Sequence, residues 1–327
     1  ASRRWLLLAL LCWIAQSIWT GDERWILSIK KEKGDEKYLE GFFFAVITHP
    51  DSFEQRHAAR LSWIPRFTQR GAHYRFFVGG VNVNQSSLWK DAEYNDVVQL
   101  PFVESYANLS RKTEAAAAWA SAAINSKYFV KIDDDVYPSI SMFHHLLPIL
   151  PERGLYLGKM IAHARAVHDD GQGKHRKWAI DRRLFSGDWY PPYAEGPLYI
   201  LSNDAMHVLG RAYDPLQDDE DVFPSEDINT ALILEQANIF PVSLSRDGKF
   251  LARSGPFFFR GPHSFMLSDH NGDRKAWGNE SCTEDIVAYH SIPAEQMIRV
   301  GEAEDKFGLR GMIREICGNT PAQVIAP

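Results

Sequence analysis

Three consecutive carboxylates, Asp133, Asp134 and Asp135, end the apolar run "YFVKI" at 128–132. Like charges packed at a strand end repel one another unless something cationic sits among them. Two carboxylates at spacing i, i+2 can give oxygen to one hard divalent ion, and the ion's open positions can take phosphate oxygens. A solvated acidic turn is the ordinary alternative, but this triplet emerges straight from a core-like strand. His290 follows the apolar stretch "DIVAY" and can offer an imidazole to the same ion. A lone histidine in that setting is more often a satisfied structural residue.

Arg56 and Arg60, at i and i+4, share one helix face. Paired guanidiniums suit a diphosphate or a carboxylate, while their spacing alone favours a solvated face. In "SEDINTALIL", Ser225 can cap a helix whose first turn carries Glu226 and Asp227. Acids at a helix N-terminus are ordinary caps. A carboxylate aimed into a cleft is also a general base for a substrate hydroxyl.

These groups are carried by strands and helices in alternation. Strands are predicted at 41–49, 74–80, 95–100, 128–132, 154–160 and 196–202. A helix over 51–64 would be capped by Asp51 or Ser52 and end before Pro65, and one over 110–125 would be capped by Ser110. Further helices are predicted at 205–213 and 226–238. The pattern predicts an α/β fold with a mainly parallel central sheet and helices on both faces. Ligands in such sheets bind at the carboxyl ends of the strands, where the acidic triplet lies. Residues 177–196, rich in aromatics, Pro and charge, suit an ordered binding loop better than a spacer.

The chain has 327 residues, 45% of them hydrophobic and 24% charged, with a formal net charge of −6. That supports one large α/β domain or two small ones, and it argues against a nucleic-acid partner, which calls for a basic face. Arg3-Arg4 precede "WLLLALLCWIAQSIW" at 5–19, the pattern of a signal peptide or a signal anchor. With no A-x-A-like cleavage site, the anchor is the favoured reading, with the body lumenal. The expected organisation is 1–24 as signal anchor or signal peptide, 25–40 as stem, 41–318 as the working domain and 319–327 as a frayed tail. A lumenal body permits a disulfide between Cys282 and Cys317, whose proximity the sequence leaves open. Sequons stand at Asn84, Asn108 and Asn279.

Several segments then fall into a familiar order. "RHAARLSW" (56–63), "FFVGG" (76–80), "DVVQLPFVESYANLSRKT" (96–113), "KIDDDVY" (131–137), "YPPYAEGPLYILSNDA" (190–205), "EDI" (226–228) and "YHSIPAEQM" (289–297) follow one another. Together they resemble the beta-1,3-glycosyltransferase superfamily, the galactosyltransferase and N-acetylglucosaminyltransferase group that includes the Fringe enzymes. The resemblance covers roughly 42–300. Pro101 and Glu104 stand where the family commonly has two Asp residues, and Glu195-Gly196-Pro197 replaces a small-residue turn.

The resemblance implies a GT-A type, Rossmann-like nucleotide-sugar domain using a UDP sugar with Mn2+. Asp135 and His290 would ligate the ion, with Asp133 near the ion or the ribose. Arg56, Arg60, Lys112, Asp133 and Asp134 would lie by the donor. Asp227 would take the proton from an acceptor hydroxyl, and attack with inversion would give a beta-1,3 bond. Trp178, Trp189, Tyr190 and Tyr193 could stack on sugars or simply pack together, and Glu226 would lie near the acceptor. The implied setting is a single-pass type II protein of the Golgi membrane, lumenal, acting on glycans of glycoproteins or glycolipids. UDP-galactose is the favoured donor, with UDP-N-acetylglucosamine the alternative, and a homo-oligomer is left open. A metal-dependent phosphoesterase is disfavoured for want of a second cluster of His and Asp. A catalytically dead secretory lectin is disfavoured by the intact triplet, Asp227 and His290.

Overall fold

The structure, a computed structural model, describes residues 37–81, 88–168, 179–218, 221–244, 250–251, 266–267 and 288–317. The apolar segment 5–19, the sequons Asn84 and Asn279, Trp178 and Cys282 lie outside them, as do the side chain of Cys317 and residues 319–327. Among the described residues no helix is long and apolar enough to cross a membrane.

Strand β1 (Phe42–Ile47) is buried at all six positions. Its unbroken apolar run is what a strand flanked on both sides and covered on both faces requires. It pairs in parallel with β2 (His73–Val81) and with β4 (Tyr128–Asp133). Strand β3 (Val97–Val103) adds to β2 in parallel. After the short β5 (Tyr137–Pro138) come β6 (Tyr156–Ile161) and β7 (Tyr193–Ser202). Strand β7 runs antiparallel to both β4 and β6, so the six-stranded order is β3-β2-β1-β4-β7-β6. The sheet is mainly parallel, as expected, with β7 reversed.

Helices cover both faces. Phe44 packs its ring against Trp63, Phe67 and Phe143. The first two lie in α2 (Trp63–Thr68), which follows α1 (Phe53–Leu61). On the other face, Phe43, Ala45, Phe77, Phe129 and Leu201 share one core with alanines of α3 (Leu109–Ala123). Alanines let that helix sit close to its neighbours. Gly210, in α5 (Asn203–Ala212), approaches so near that a Cβ on it would meet the Ala118 nitrogen at 2.8 Å. Between them in sequence lies α4 (Ile140–Leu146), which supplies Phe143.

Two helix boundaries differ from the sequence reading. The first helix breaks at Ser62 (φ −113°, ψ −93°), and Pro65 lies in the first turn of α2 rather than ending a helix. Proline is tolerated there because its missing N–H would be unpaired in any case. Asn108, not Ser110, holds the N-cap position of α3, and the Ser110 hydroxyl instead donates to the Phe223 carbonyl. Helix α6 (Glu226–Gln236) starts after Ser225 as expected, although no side-chain cap bond forms.

A second, small sheet decides where the chain's late residues go. Strands β8 (Ser243–Leu244) and β9 (Phe250–Leu251) pair with each other, whereas β10 (Met266–Leu267) and β11 (Ala288–Tyr289) join β5. Antiparallel pairing sets Tyr289 opposite Tyr137, and the Ile292 N–H donates to the Asp135 carbonyl at 2.8 Å. The following helices are α7 (Ala294–Phe307) and α8 (Leu309–Cys317). Glu304 of α7 accepts from the Tyr137 hydroxyl at 2.6 Å, tying α7 to the residues just beyond the triplet.

Candidate active site at the carboxyl edge of the sheet

Parallel register sets Ile47 beside Asp133, so the chain leaves β1 and β4 at the same level. One residue further on, the Thr48 hydroxyl donates to Asp134 Oδ2 at 2.5 Å. Ser52 also hydrogen-bonds Asp134, and burial raises the Asp134 carboxyl while these hydroxyls pull it back. Asp134 therefore faces the β1–α1 turn, where it organises the backbone.

Asp133 and Asp135 diverge from it. Together with His290 they bring one ligand atom each to within 4.8 Å of one another. His290 Nε2 stands 3.4 Å from Asp135 Oδ2. Burial lowers the imidazole's pKa, but the Asp135 and Asp133 charges outweigh it and raise it. Two carboxylates and one imidazole, half-buried at a strand end, are a donor set that fits Mn2+ or a similar divalent ion.

Asp133 is also held from below. Lys131 Nζ, fully buried, donates to Asp133 Oδ1 and to the Gly196 carbonyl, each at 2.6 Å. It lies 3.4 Å from Glu226 Oε2. Burial alone would lower the ammonium's pKa, yet the two carboxylates hold it well above the usual lysine range. Asp133 itself is pushed up to about 6, by burial first and against the pull of Lys131.

Glu226 is 4% exposed and accepts from the Tyr199 hydroxyl at 2.6 Å. It belongs to a buried network with Lys131, Tyr199 and Thr230. Asp227, next along the first turn of α6, is half-buried and accepts from its neighbour's Ile228 N–H at 2.9 Å. Burial, reinforced by the Glu226 charge, pushes the Asp227 carboxyl up to about 7. Tyr190 and Tyr193 both feel that carboxylate, and both phenols are raised by burial and by its charge. Tyr190 is 8% exposed, Tyr193 is half-buried and Trp189 is 60% exposed. Their loop is ordered by backbone bonds from Ala166 to Asp188 and from Tyr190 to Ala164, each 2.9 Å.

The three basic residues expected at the donor all have internal partners. Arg56, with no exposed surface, donates to Asp91 at 2.8 Å and to the His49 and Pro50 carbonyls. Arg60 forks onto Asp96, also contacts Asp91, and lies 4.0 Å from the Tyr94 ring centroid. Lys112 donates to the Thr48 carbonyl at 2.9 Å and to Glu104, whose other oxygen accepts from the Gly79 N–H at 2.7 Å. Burial lowers the Lys112 pKa against Glu104's pull. Arg56 and Lys112 line the chain where it leaves β1. Asn108, at one of the sequons, is 3% exposed with its amide donating to the Val103 carbonyl at 3.1 Å.

Sequence reasoning missed Thr48, Ser52, Asp91, Asp96 and Lys131 as organisers of the site. Only Lys131 left a signal, a lone lysine inside an apolar strand, which must be paired wherever that strand is buried.

A mainly parallel α/β sheet with two carboxylates and an imidazole gathered at a strand end is an architecture that glycosyltransferases use. The chain belongs to the Galactosyltransferase family, whose model matches residues 54–244. It is 32% identical over 174 residues to hydroxyproline O-galactosyltransferase GALT5 of Arabidopsis thaliana, covering 51% of this chain and 25% of that one. It is 31% identical over 219 residues to hydroxyproline O-galactosyltransferase GALT2 of the same plant, covering 64% and 30%. To UDP-GlcNAc:betaGal beta-1,3-N-acetylglucosaminyltransferase 7 of Rattus norvegicus it is 26% identical over 227 residues, covering 66% and 55%. The matched region is thus between a quarter and about half of these relatives' length.

Proposed function

We propose that the chain transfers a sugar, galactose by preference, from a UDP sugar to a hydroxyl of a glycan acceptor, with inversion and a beta-1,3 product. The observation carrying this reading is the convergence of Asp133, Asp135 and His290 on one ion-sized space at the carboxyl edge of the sheet. Those three residues would hold the ion. A bound Mn2+ supplies charge neutralisation for the departing diphosphate.

Asp227 takes the proton of the acceptor hydroxyl. The acceptor oxygen forms the new bond to the sugar's anomeric carbon as the bond to the diphosphate breaks, and the electron pair leaves with UDP. A single displacement needs no covalent intermediate, as in inverting glycosidases with water as nucleophile. Asp227's raised pKa supports this role, because a base works best when its pKa lies near the working pH. Trp189, exposed beside Tyr190 and Tyr193, offers an apolar face to the acceptor sugar.

The preference for galactose is supported by the family and by the plant relatives. N-acetylglucosamine is the second reading, favoured by the rat relative. A lumenal Golgi location with a type II anchor is supported by Arg3-Arg4 and the apolar run behind them. The deciding experiment incubates residues 25–327 with Mn2+, a panel of UDP sugars and glycan acceptors, and reads free UDP. Acceptor-dependent release that EDTA abolishes is expected. Absence of release with every donor would overturn the proposal.

A further inference from the structure

Lys131 lies in the middle of β4 with no exposed surface, in a run otherwise apolar. An ammonium buried without partners is prohibitively costly, so its neighbours define its purpose. They come from three separate parts of the chain: the acidic strand end, β7 and the first turn of α6. Asp133 Oδ1 and the Gly196 carbonyl are each 2.6 Å away, and Glu226 Oε2 is 3.4 Å away. Glu226's other oxygen is occupied by the Tyr199 hydroxyl at 2.6 Å and the Thr230 hydroxyl at 3.3 Å, so its orientation is fixed. The junction leaves little room beyond a glycine at position 196. A Cβ on Gly196 would stand 3.0 Å from Glu226 Oε2 and 3.8 Å from both Lys131 Nζ and Asp227 Cβ.

We propose that Lys131 is a positioning residue whose ammonium holds Asp133 and the Glu226–Asp227 turn at one fixed spacing, so that the donor and acceptor halves of the site share a single anchor. The inference rests on the reading in which Asp133 faces the ion and Asp227 takes the proton. With Oδ1 engaged by Lys131, Asp133 presents its other oxygen outward in one orientation. Outer partners of this kind fix the geometry of the groups that do the chemistry. The same ammonium balances Glu226, keeping its charge from pushing the α6 turn away from Asp133. Without the lysine, half-buried Asp133 and buried Glu226 would lose the cation between them, and one would have to move or take up a proton.

The test uses the full chain with Lys131→Met, which keeps the unbranched stem up to the ε position and removes the charged terminal group. Three quantities are read: Mn2+-dependent UDP affinity by calorimetry, kcat at saturating donor, and the melting temperature. UDP affinity and kcat should both fall, each by about 10- to 100-fold, the usual effect of losing an outer-shell partner. A lysine that only stabilises the fold would lower the melting temperature and leave both other quantities within about twofold below that temperature. That result would overturn the inference. If Lys131→Met does not fold, Gly196→Ala disturbs the same junction without removing any charge. It should lower the same two quantities, and unchanged values overturn the inference equally. Should the wild-type chain neither bind UDP with Mn2+ nor transfer sugar, the proposed function itself fails and takes this inference with it.

Discussion

His290 Nε2 lies 3.4 Å from Asp135 Oδ2, although 155 positions separate the two residues in the chain. The pairing of β11 with β5 delivers the imidazole, and the Ile292 N–H bond to the Asp135 carbonyl locks the approach. If this pair and Asp133 hold the ion, Asp135→Ala should remove Mn2+-dependent UDP affinity. The loss should be at least the ~10- to 100-fold that outer partners alone command. Calorimetry with UDP, with and without Mn2+, checks it, and an unchanged affinity removes Asp135 from the ligand set.

Asp227→Asn separates binding from chemistry. The amide retains the volume but accepts no proton. UDP affinity in Mn2+ should stay within about twofold of wild type, whereas kcat falls by roughly a hundred- to ten-thousandfold, the contribution general bases commonly make. Transfer at near-normal rate would put the base elsewhere.

The same carboxyl predicts a pH dependence. Its folded pKa is raised from 3.8 to about 7 by burial and by Glu226. Activity needs the ionised form, so kcat/KM should fall as pH drops through about 7. Stability runs the other way. An acid raised in the folded state adds stability that is full below its unfolded pKa and is lost as pH rises through about 7. Asp227→Asn should therefore gain stability relative to wild type above pH 7, measured by thermal melts across pH. A flat comparison would contradict the raised pKa.

Arg60 and its two aspartates give a prediction about stability alone. Asp96→Ala leaves a buried guanidinium with one carboxylate and removes the acceptor of the Tyr74 hydroxyl, 2.7 Å away. Breaking a buried pair from one side costs about 3–5 kcal/mol. Denaturant unfolding should show that loss, while the folded variant keeps its UDP affinity. A large loss of affinity with intact stability would instead support a donor contact by Arg60.

Trp189 is the opposite case. At 60% exposed it contributes little to the core, so Trp189→Ala should change stability by no more than about 0.5 kcal/mol. If the ring stacks on the acceptor, the acceptor KM should rise severalfold with donor KM unchanged. An unaltered acceptor KM assigns the ring to the surface.

What the sequence determined by itself is local or nearly so. The run at 42–47 had to be a strand buried on both faces, because six apolar residues without alternation leave no face for water. The acidic triplet had to end a core strand, and acids after Ser225 had to open a helix, since both depend on neighbours a few positions away. The order of motifs then carried the family. Tertiary structure alone decided which charged groups are free. Arg56, Arg60 and Lys112 look alike in sequence to cations awaiting a phosphate, yet Asp91 and Asp96 reach the two arginines from a distant segment, and Glu104 folds back onto the lysine. Likewise Glu226 and Asp227 are adjacent acids, and only packing turns one into Lys131's buried counter-ion and leaves the other half-buried. Charge can be read from a chain, but its desolvation and pairing depend on what the fold brings within about 4 Å.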